Sequence, residues 1–175
     1  MPRARTHDAI TLALAPPTFL LTETLTGSRD LAWVVTLAML FSGFMFNPDL
    51  DVRSKPYARW GPLRILWWPY QVLIRHRSRL SHGLVLGPLV RTAYFAMVLA
   101  LVGAVGIFFW HALVERPGAS ESARQSFLMM KQRLLAIERR YWLALLVGLW
   151  WGSAAHTLAD WLASLWTSTK RLLLS

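Results

Sequence analysis

The sequence predicts an all-α fold: a multi-pass helical membrane protein with about four transmembrane helices and an interfacial segment rich in Trp and Arg. Three observations predict it. Hydrophobic residues make up 55% of the 175-residue chain and charged residues only 16%, against about 25% charged in soluble domains. The apolar residues arrive in blocks, not at the spacing of a soluble core. The ends of those blocks carry Trp, Tyr and Arg, which favour the headgroup level of a bilayer, and Trp alone occurs 10 times. The length fits one domain, 1–175.

The first block, Ala9 to Thr22, has 14 residues without charge, short of the roughly 20 a span needs. Thr6 can cap its start, and Pro16-Pro17 removes backbone donors and predicts a kink. A positive start before an apolar run raises a signal peptide, but no small-x-small cleavage site precedes Glu23, so a retained helix is expected. Gly27-Ser28-Arg29-Asp30 reads as a tight turn. Leu31 to Phe46 is then 16 uncharged residues, closed by Asn47-Pro48, because a residue before proline continues a helix poorly. The two helices form a hairpin that returns Asp49 to the side where His7 begins.

Asp51 to Leu80 is polar and basic, interleaved with Tyr57, Trp60, Trp67, Trp68 and Tyr70 and cut by Pro56, Pro62 and Pro69. That pattern predicts short pieces lying in the headgroup layer. Thr92 to Val114, 23 residues without Asp, Glu, Lys or Arg, is the clearest span, and Glu115-Arg116-Pro117-Gly118 stops it. Ser120 to Arg140 places Phe127, Met130, Leu134 and Ile137 at helical spacing with charges between them. This predicts an amphipathic helix, on the surface or leading directly into the last span, and 120–140 is the stretch that would dock a protein partner. Tyr141 to Thr169 is apolar except for His156 and Asp160, and Lys170-Arg171 closes it.

A net charge of +10 admits nucleic acid. In a membrane protein, however, Arg and Lys gather in cytoplasmic loops and at anionic headgroups, where each contributes about 1 kcal/mol. Membrane lipids are therefore the expected partner, and no nucleic acid is. Four spans with the N-terminus inside put 11 Lys and Arg on the inner side and 7 on the outer, leaving Arg91 near a helix start uncounted. Both termini are thus expected to be cytoplasmic.

The chain has no Cys, so transition-metal ligands must be His, Asp or Glu. His156-Thr157-Leu158-Ala159-Asp160 has i, i+4 spacing, which puts both side chains on one helix face. An Asp inside a membrane block is costly unless it is paired or bound; the plainer reading is a helix–helix hydrogen bond. Asp49-Leu50-Asp51 sets two carboxylates on one side if extended, and otherwise is a solvated helix exit. His76 and His82 flank a basic loop, and His7-Asp8 would by itself be an ordinary terminal pair. Alternation of the helices brings these weak signals to one face. Seven N/O donors, from His7, Asp49, Asp51, His76, His82, His156 and Asp160, exceed one tetrahedral zinc and suit two metals with a bridging carboxylate. Arg75 and Arg77 beside them are candidates for an anionic substrate, or for lipid headgroups. His111, near the far end of its span, is left out.

At these residues the chain resembles a known group. His7-Asp8, Phe46-Asn47-Pro48-Asp49-Leu50-Asp51, His76-Arg77-Ser78-Arg79-Leu80-Ser81-His82-Gly83 and His156-Thr157-Leu158-Ala159-Asp160 look like the motifs of a bacterial, cyanobacterial-type family of metal-binding membrane proteins. More distantly they are similar to the YdjM-like membrane-bound metal-dependent hydrolases. The resemblance implies a helical protein of a bacterial inner (plasma) or thylakoid membrane with a His/Asp site, and hydrolase chemistry like that of zinc-dependent phospholipase C-type enzymes. The chain departs from the YdjM-like pattern at Val52, where a His is usual, and by one extra residue between His76 and His82.

Two functions follow as expectations. The first is a metal-dependent hydrolase with one or two divalent ions, zinc foremost, acting on a phosphoester or lipid at the cytoplasmic face, with Asp49 or Asp51 accepting the proton of water. The second is a non-catalytic accessory subunit of a membrane complex, in which metal staples the loops or is absent.

Overall fold

Among the residues described in the computed structural model, 4–114 and 119–173, every regular element is helical. Eight α-helices run in order: α1 Ala4–Thr26, α2 Arg29–Met45, α3 Lys55–Arg59, α4 Trp68–Leu73, α5 Arg79–His82, α6 Leu86–Val114, α7 Ala119–Ala136 and α8 Arg139–Leu173. Two 3-10 turns, Pro48–Asp51 and Gly61–Trp67, complete the order.

Among the described residues, three helices, not four, are long and apolar enough to cross a membrane: those within Arg29–Asp51, Leu86–Trp110 and Arg139–Lys170. The first block does form a helix, running through Pro16 and Pro17. Its polar content, from Arg5, His7 and Asp8 to the threonines and Glu23, keeps it out of that set. The turn after it is as the sequence implies. Gly27 has a φ of +64°, which glycine adopts without a Cβ penalty, and Ser28 caps α2 by accepting from the Leu31 N–H. Residues 115–118, expected to stop α6, lie outside the described residues.

The bundle that carries the site is α2 clasped between α1 and α8. Small residues make the clasp possible. A Cβ added at Gly148 would strike the Val35 carbonyl, and one at Gly152 the Met39 carbonyl. The Gly148-x3-Gly152 spacing thus lets two backbones approach closely, as small-x3-small pairs do between helices. The approach is sealed where Ser42 Oγ donates to the Leu149 carbonyl at 2.6 Å. On the other side of α2, Gly43 meets Thr11 of α1, and Trp151 Nε1 donates to Thr18 Oγ1 at 3.0 Å.

The Asp51–Leu80 segment is not merely laid on an interface. Trp67 and Tyr70 are fully buried, and with Phe46 and Leu50 they form a core that Trp60, Tyr94 and Phe95 flank. The Trp67 and Phe95 rings stack at 5.7 Å, and Trp60 Nε1 donates to the Met45 carbonyl at 2.8 Å. The face left outside carries Leu63, Ile65 and Trp68. One arginine-and-aromatic pattern serves both a core and a surface, which is why composition alone misplaces Trp67.

In contrast, α6 beyond Val98, which is buried, is largely exposed, with Leu101, Val102, Phe108, Phe109 and Trp110 outside any core. α7 is a separate helix, divided from α8 at Ile137–Glu138 rather than continuous with it. Phe127, Met130, Leu134 and Ile137 are all exposed.

Candidate metal centre

Five of the seven candidate ligands sit where a helix begins, ends or turns, and the other two, His156 and Asp160, lie in the middle of α8. His7 lies in the first turn of α1, buried. Beyond the end of α2, Asn47 accepts the Asp49 N–H at 3.1 Å and donates from Nδ2 to the Gly43 carbonyl at 3.0 Å. Pro48 supplies a preset φ, and the chain closes into the 3-10 turn Pro48–Asp51. The Asp49-Leu50-Asp51 pair is therefore in a turn, neither the extended form that would set both carboxylates on one side nor a solvated exit, since Asp51 is buried. The turn is pinned again by Ser54 Oγ donating to the Asp49 carbonyl at 2.7 Å and Gln71 to the Leu50 carbonyl at 3.0 Å. His76 precedes Arg77, whose φ of +60° is the one positive value at a non-glycine among the described residues. His82 ends α5, and His156 and Asp160 share one face of α8.

These side chains meet in two groups. His7, His156 and Asp160 form one, and Asp51, His76 and His82 the other; within each, ligand atoms lie within 4.8 Å of one another. In the first group His7 Nε2 is 3.3 Å from Asp160 Oδ1, and His156 Nε2 is 3.6 Å from Asp160 Oδ2. The His7 and His156 rings stack at 3.9 Å. In the second, His76 Nδ1 is 2.8 Å from Asp51 Oδ1, and His82 Nδ1 is 3.7 Å from Asp51 Oδ2. Asp49 stands between the groups: Oδ2 is 3.5 Å from His156 Nε2 and Oδ1 is 3.7 Å from His82 Nε2.

The spacings discriminate between hydrogen bonding and ligation. Apart from the His76–Asp51 contact, they are too long for good N–H···O bonds. They match instead the edge of a donor tetrahedron on 2.0–2.2 Å bonds, which is about 3.4 Å. Orphaned atoms point the same way. His7 Nδ1, both ring nitrogens of His156, His82 Nε2 and Asp51 Oδ2 are buried without a hydrogen-bond partner, and each such group costs about 1–3 kcal/mol if left unserved. Four imidazoles and three carboxylates, with no thiolate, are a donor set for divalent metals. The residues present could hold a metal ion.

The two groups differ in access. Asp51 is fully buried, but the His76 side chain is 38% exposed. The first group borders a cavity of about 70 Å³ lined by His7, Asp8, Asn47, Asp49, His156 and Asp160, room for an ion and a few waters. Asp8 lines it without being available as a ligand, since Arg59 holds it with a fork of 2.6 and 3.0 Å bonds. The Arg59 hydrogen bond holds the Asp8 carboxyl below its usual range. Burial pushes the nearby Tyr70 phenol up.

Arg75 and Arg77 are exposed and do not line this cavity. His111 lies in the last turn of α6, 25 residues after Leu86, about 37 Å along the helix at 1.5 Å per residue; its side chain is outside the described residues. The residue that composition passes over is Arg91, fully buried beneath the ligands. It is the one Lys or Arg between Gly83 and Val114, and an ionisable group inside an apolar block is itself a signal.

Residues 2–170 match the model of a family described as uncharacterized metal-binding protein (DUF2227). An "Uncharacterized protein" of Aquifex aeolicus (strain VF5) is 42% identical over 59 residues, 33% of this chain and 41% of the relative, so the match spans about two fifths of that protein. No solved structure matches.

Proposed function

The chain belongs to this metal-binding family, and from that premise we propose an integral membrane protein whose His/Asp centre lies at the cytoplasmic face and works as a metal-dependent hydrolase on a phosphoester or lipid. The observation that carries the reading is the shared carboxylate. Asp49 turns one oxygen to His156 and the other to His82, so two groups of two histidines and one aspartate meet on a single side chain. His7, His156 and Asp160 would hold one ion, His76, His82 and Asp51 a second, and Asp49 both. Zinc is the metal proposed, because nitrogen and oxygen donors at tetrahedral spacing suit it.

A divalent ion there supplies Lewis acidity and lowers the pKa of water to about 7. The chain's own groups supply the rest. A carboxylate not fully used in coordination, Asp51 or the cavity-lining Asp49, would accept the proton of water. Asp51 Oδ1 accepts from His76 Nδ1 and so orients that ring, leaving Nε2 as its free donor atom. Arg75 and Arg77, exposed on the loop that carries His76 and outside the cavity lining, suit lipid headgroups or the anionic part of a phosphoester held at the membrane surface. Resemblance to the YdjM-like hydrolases supports the hydrolytic part of the reading.

The membrane part is supported by α6, whose apolar stretch from Leu99 to Trp110 is left largely exposed. An exposed apolar surface of that extent needs lipid or a partner. It is supported also by the glycine-spaced contact of α8 with α2. With α1, whose Leu12, Leu20 and Leu21 are exposed, entering the membrane beside α2 as a fourth and less apolar span, a bacterial inner or thylakoid membrane, lipids as partners and both termini cytoplasmic complete the proposal.

The test is hydrolysis by detergent-purified protein of a phosphodiester, a phosphomonoester and a glycerophospholipid in vesicles. The expected result is turnover of at least one, abolished by a chelator and restored by zinc. Metal-loaded protein inert toward all three favours the second reading, a non-catalytic subunit. One observation favours that reading: the apolar side chains of α7, among them Phe127, Met130 and Leu134, are exposed and suited to a partner protein through 120–140.

A further inference from the structure

We infer that Arg91 is the positioning residue of the centre: its guanidinium ties together three of the four segments that carry the candidate ligands, and thereby sets one ligand group against the other. The inference rests on the metal-centre reading above. Arg91 Nη1 donates to the Phe46 carbonyl at 2.9 Å and to Ser153 Oγ at 2.8 Å, and Nη2 donates to the Ser81 carbonyl at 2.9 Å. Every acceptor is close in sequence to a ligand. Phe46 leads into Asn47-Pro48-Asp49, Ser81 is next to His82, and Ser153 lies just under one turn before His156.

The three acceptors belong to elements that share no direct covalent restraint. Phe46 is the residue at which α2 ends, where carbonyls lose their helical partners. Ser81 lies on α5 and Ser153 on α8. A planar guanidinium presents donors in a fixed fork and can serve all three at once, whereas a lysine ammonium is a single point on a flexible stem. The fork is itself held in place: it lies 5.8 Å from the centre of the Phe46 ring. α5 is seated closely against the start of α6, where a Cβ on Gly87 would lie 2.6 Å from the Ser81 carbonyl. A positive charge buried there also opposes the mutual repulsion of Asp49 and Asp51. Burying a charge is costly unless it is bonded in this way, and no ligand atom uses it. Its service is to the geometry.

The experiment is cobalt(II) titration of detergent-purified wild type, R91M and R91K, read by bound cobalt and by the visible d–d absorption, with helical circular dichroism as the control for folding. Wild type is expected to bind cobalt with the intense absorption of a low-coordinate N/O site. R91M and R91K are expected to bind it roughly 10- to 100-fold more weakly, the range for loss of an outer-sphere partner, with altered absorption and retained helicity. Failure of R91K to rescue separates the fork from the charge. A wild-type spectrum and affinity in R91M, or full rescue in R91K, overturns the inference while leaving the metal centre standing. Wild type that binds no cobalt overturns both. Should R91M not fold, S153A decides: it removes one tie and no charge, so it must shift affinity and absorption in the same direction, and identity with wild type contradicts the inference.

Discussion

At the scale of single residues, the centre is argued from atoms that lack ordinary partners. Asp49→Asn should do the most damage, because one carboxylate faces both histidine groups. Metal affinity should fall by more than the roughly 10- to 100-fold that loss of an outer hydrogen-bond partner costs, measured by competition with a chromogenic chelator. Asp160→Asn should lower bound metal strongly yet leave membrane insertion intact or eased, since a charge leaves an apolar block; unchanged metal content would return Asp160 to a hydrogen-bonding role. Metal binding should weaken on acidification, because ligands must be deprotonated to bind. Asp8 behaves differently. Its carboxyl is held low first by the hydrogen bond from Arg59, so the stability from that pair is present above the ordinary carboxylate pKa, about 3.9, and is lost as pH falls through the lowered value. Thermal melts of wild type and Asp8→Asn should therefore differ near neutrality and converge in acid. The seven ligand candidates were legible: all but His76 stand out at the edge of, or within, an apolar block, and His76 is picked out by its pairing with His82 across a basic loop. Arg91 was not, because a charge near a helix start has an ordinary explanation, and only its three acceptors distinguish it.

At the scale of elements, the site depends on how closely α8 approaches α2. Gly152→Leu adds volume against the Met39 carbonyl and Ser42, and such overpacking costs about 1–3 kcal/mol. It touches no ligand, yet it should move His156 and Asp160 away from Asp49 and reduce bound metal, while Gly103→Leu, which meets open space on α6, should not. The helices were largely readable from the sequence: α2 is expected over Leu31–Phe46 and runs Arg29–Met45, and α8 over Tyr141–Thr169 and runs Arg139–Leu173. Two features were not. The Asp49–Asp51 turn is decided by the Asn47 side chain and by Pro48, which favour a 3-10 turn over the extended form that alternation implies. Trp67 and Tyr70 enter a core because tertiary packing, not local pattern, decides which side of an aromatic-rich segment turns inward.

At the scale of the whole molecule, the helices carry ligands from four separate parts of the chain to one end, and the remaining apolar surface of α6 faces outward. Tags at the two termini should be accessible from the same, cytoplasmic side of spheroplasts or inverted vesicles; termini on opposite faces would contradict the proposed topology. That end-on gathering was foreseeable from helix alternation alone, whereas the division into two groups was not, since it depends on which oxygen of Asp49 faces which ring. The most direct test is the metal content of wild type and Asp49→Asn, purified in detergent without chelator and analysed by elemental mass spectrometry against protein concentration. Up to two divalent ions per wild-type chain are expected, with zinc foremost, and a large loss from both groups together in the variant. Wild-type protein without stoichiometric metal, or a variant that keeps its full complement, would contradict it.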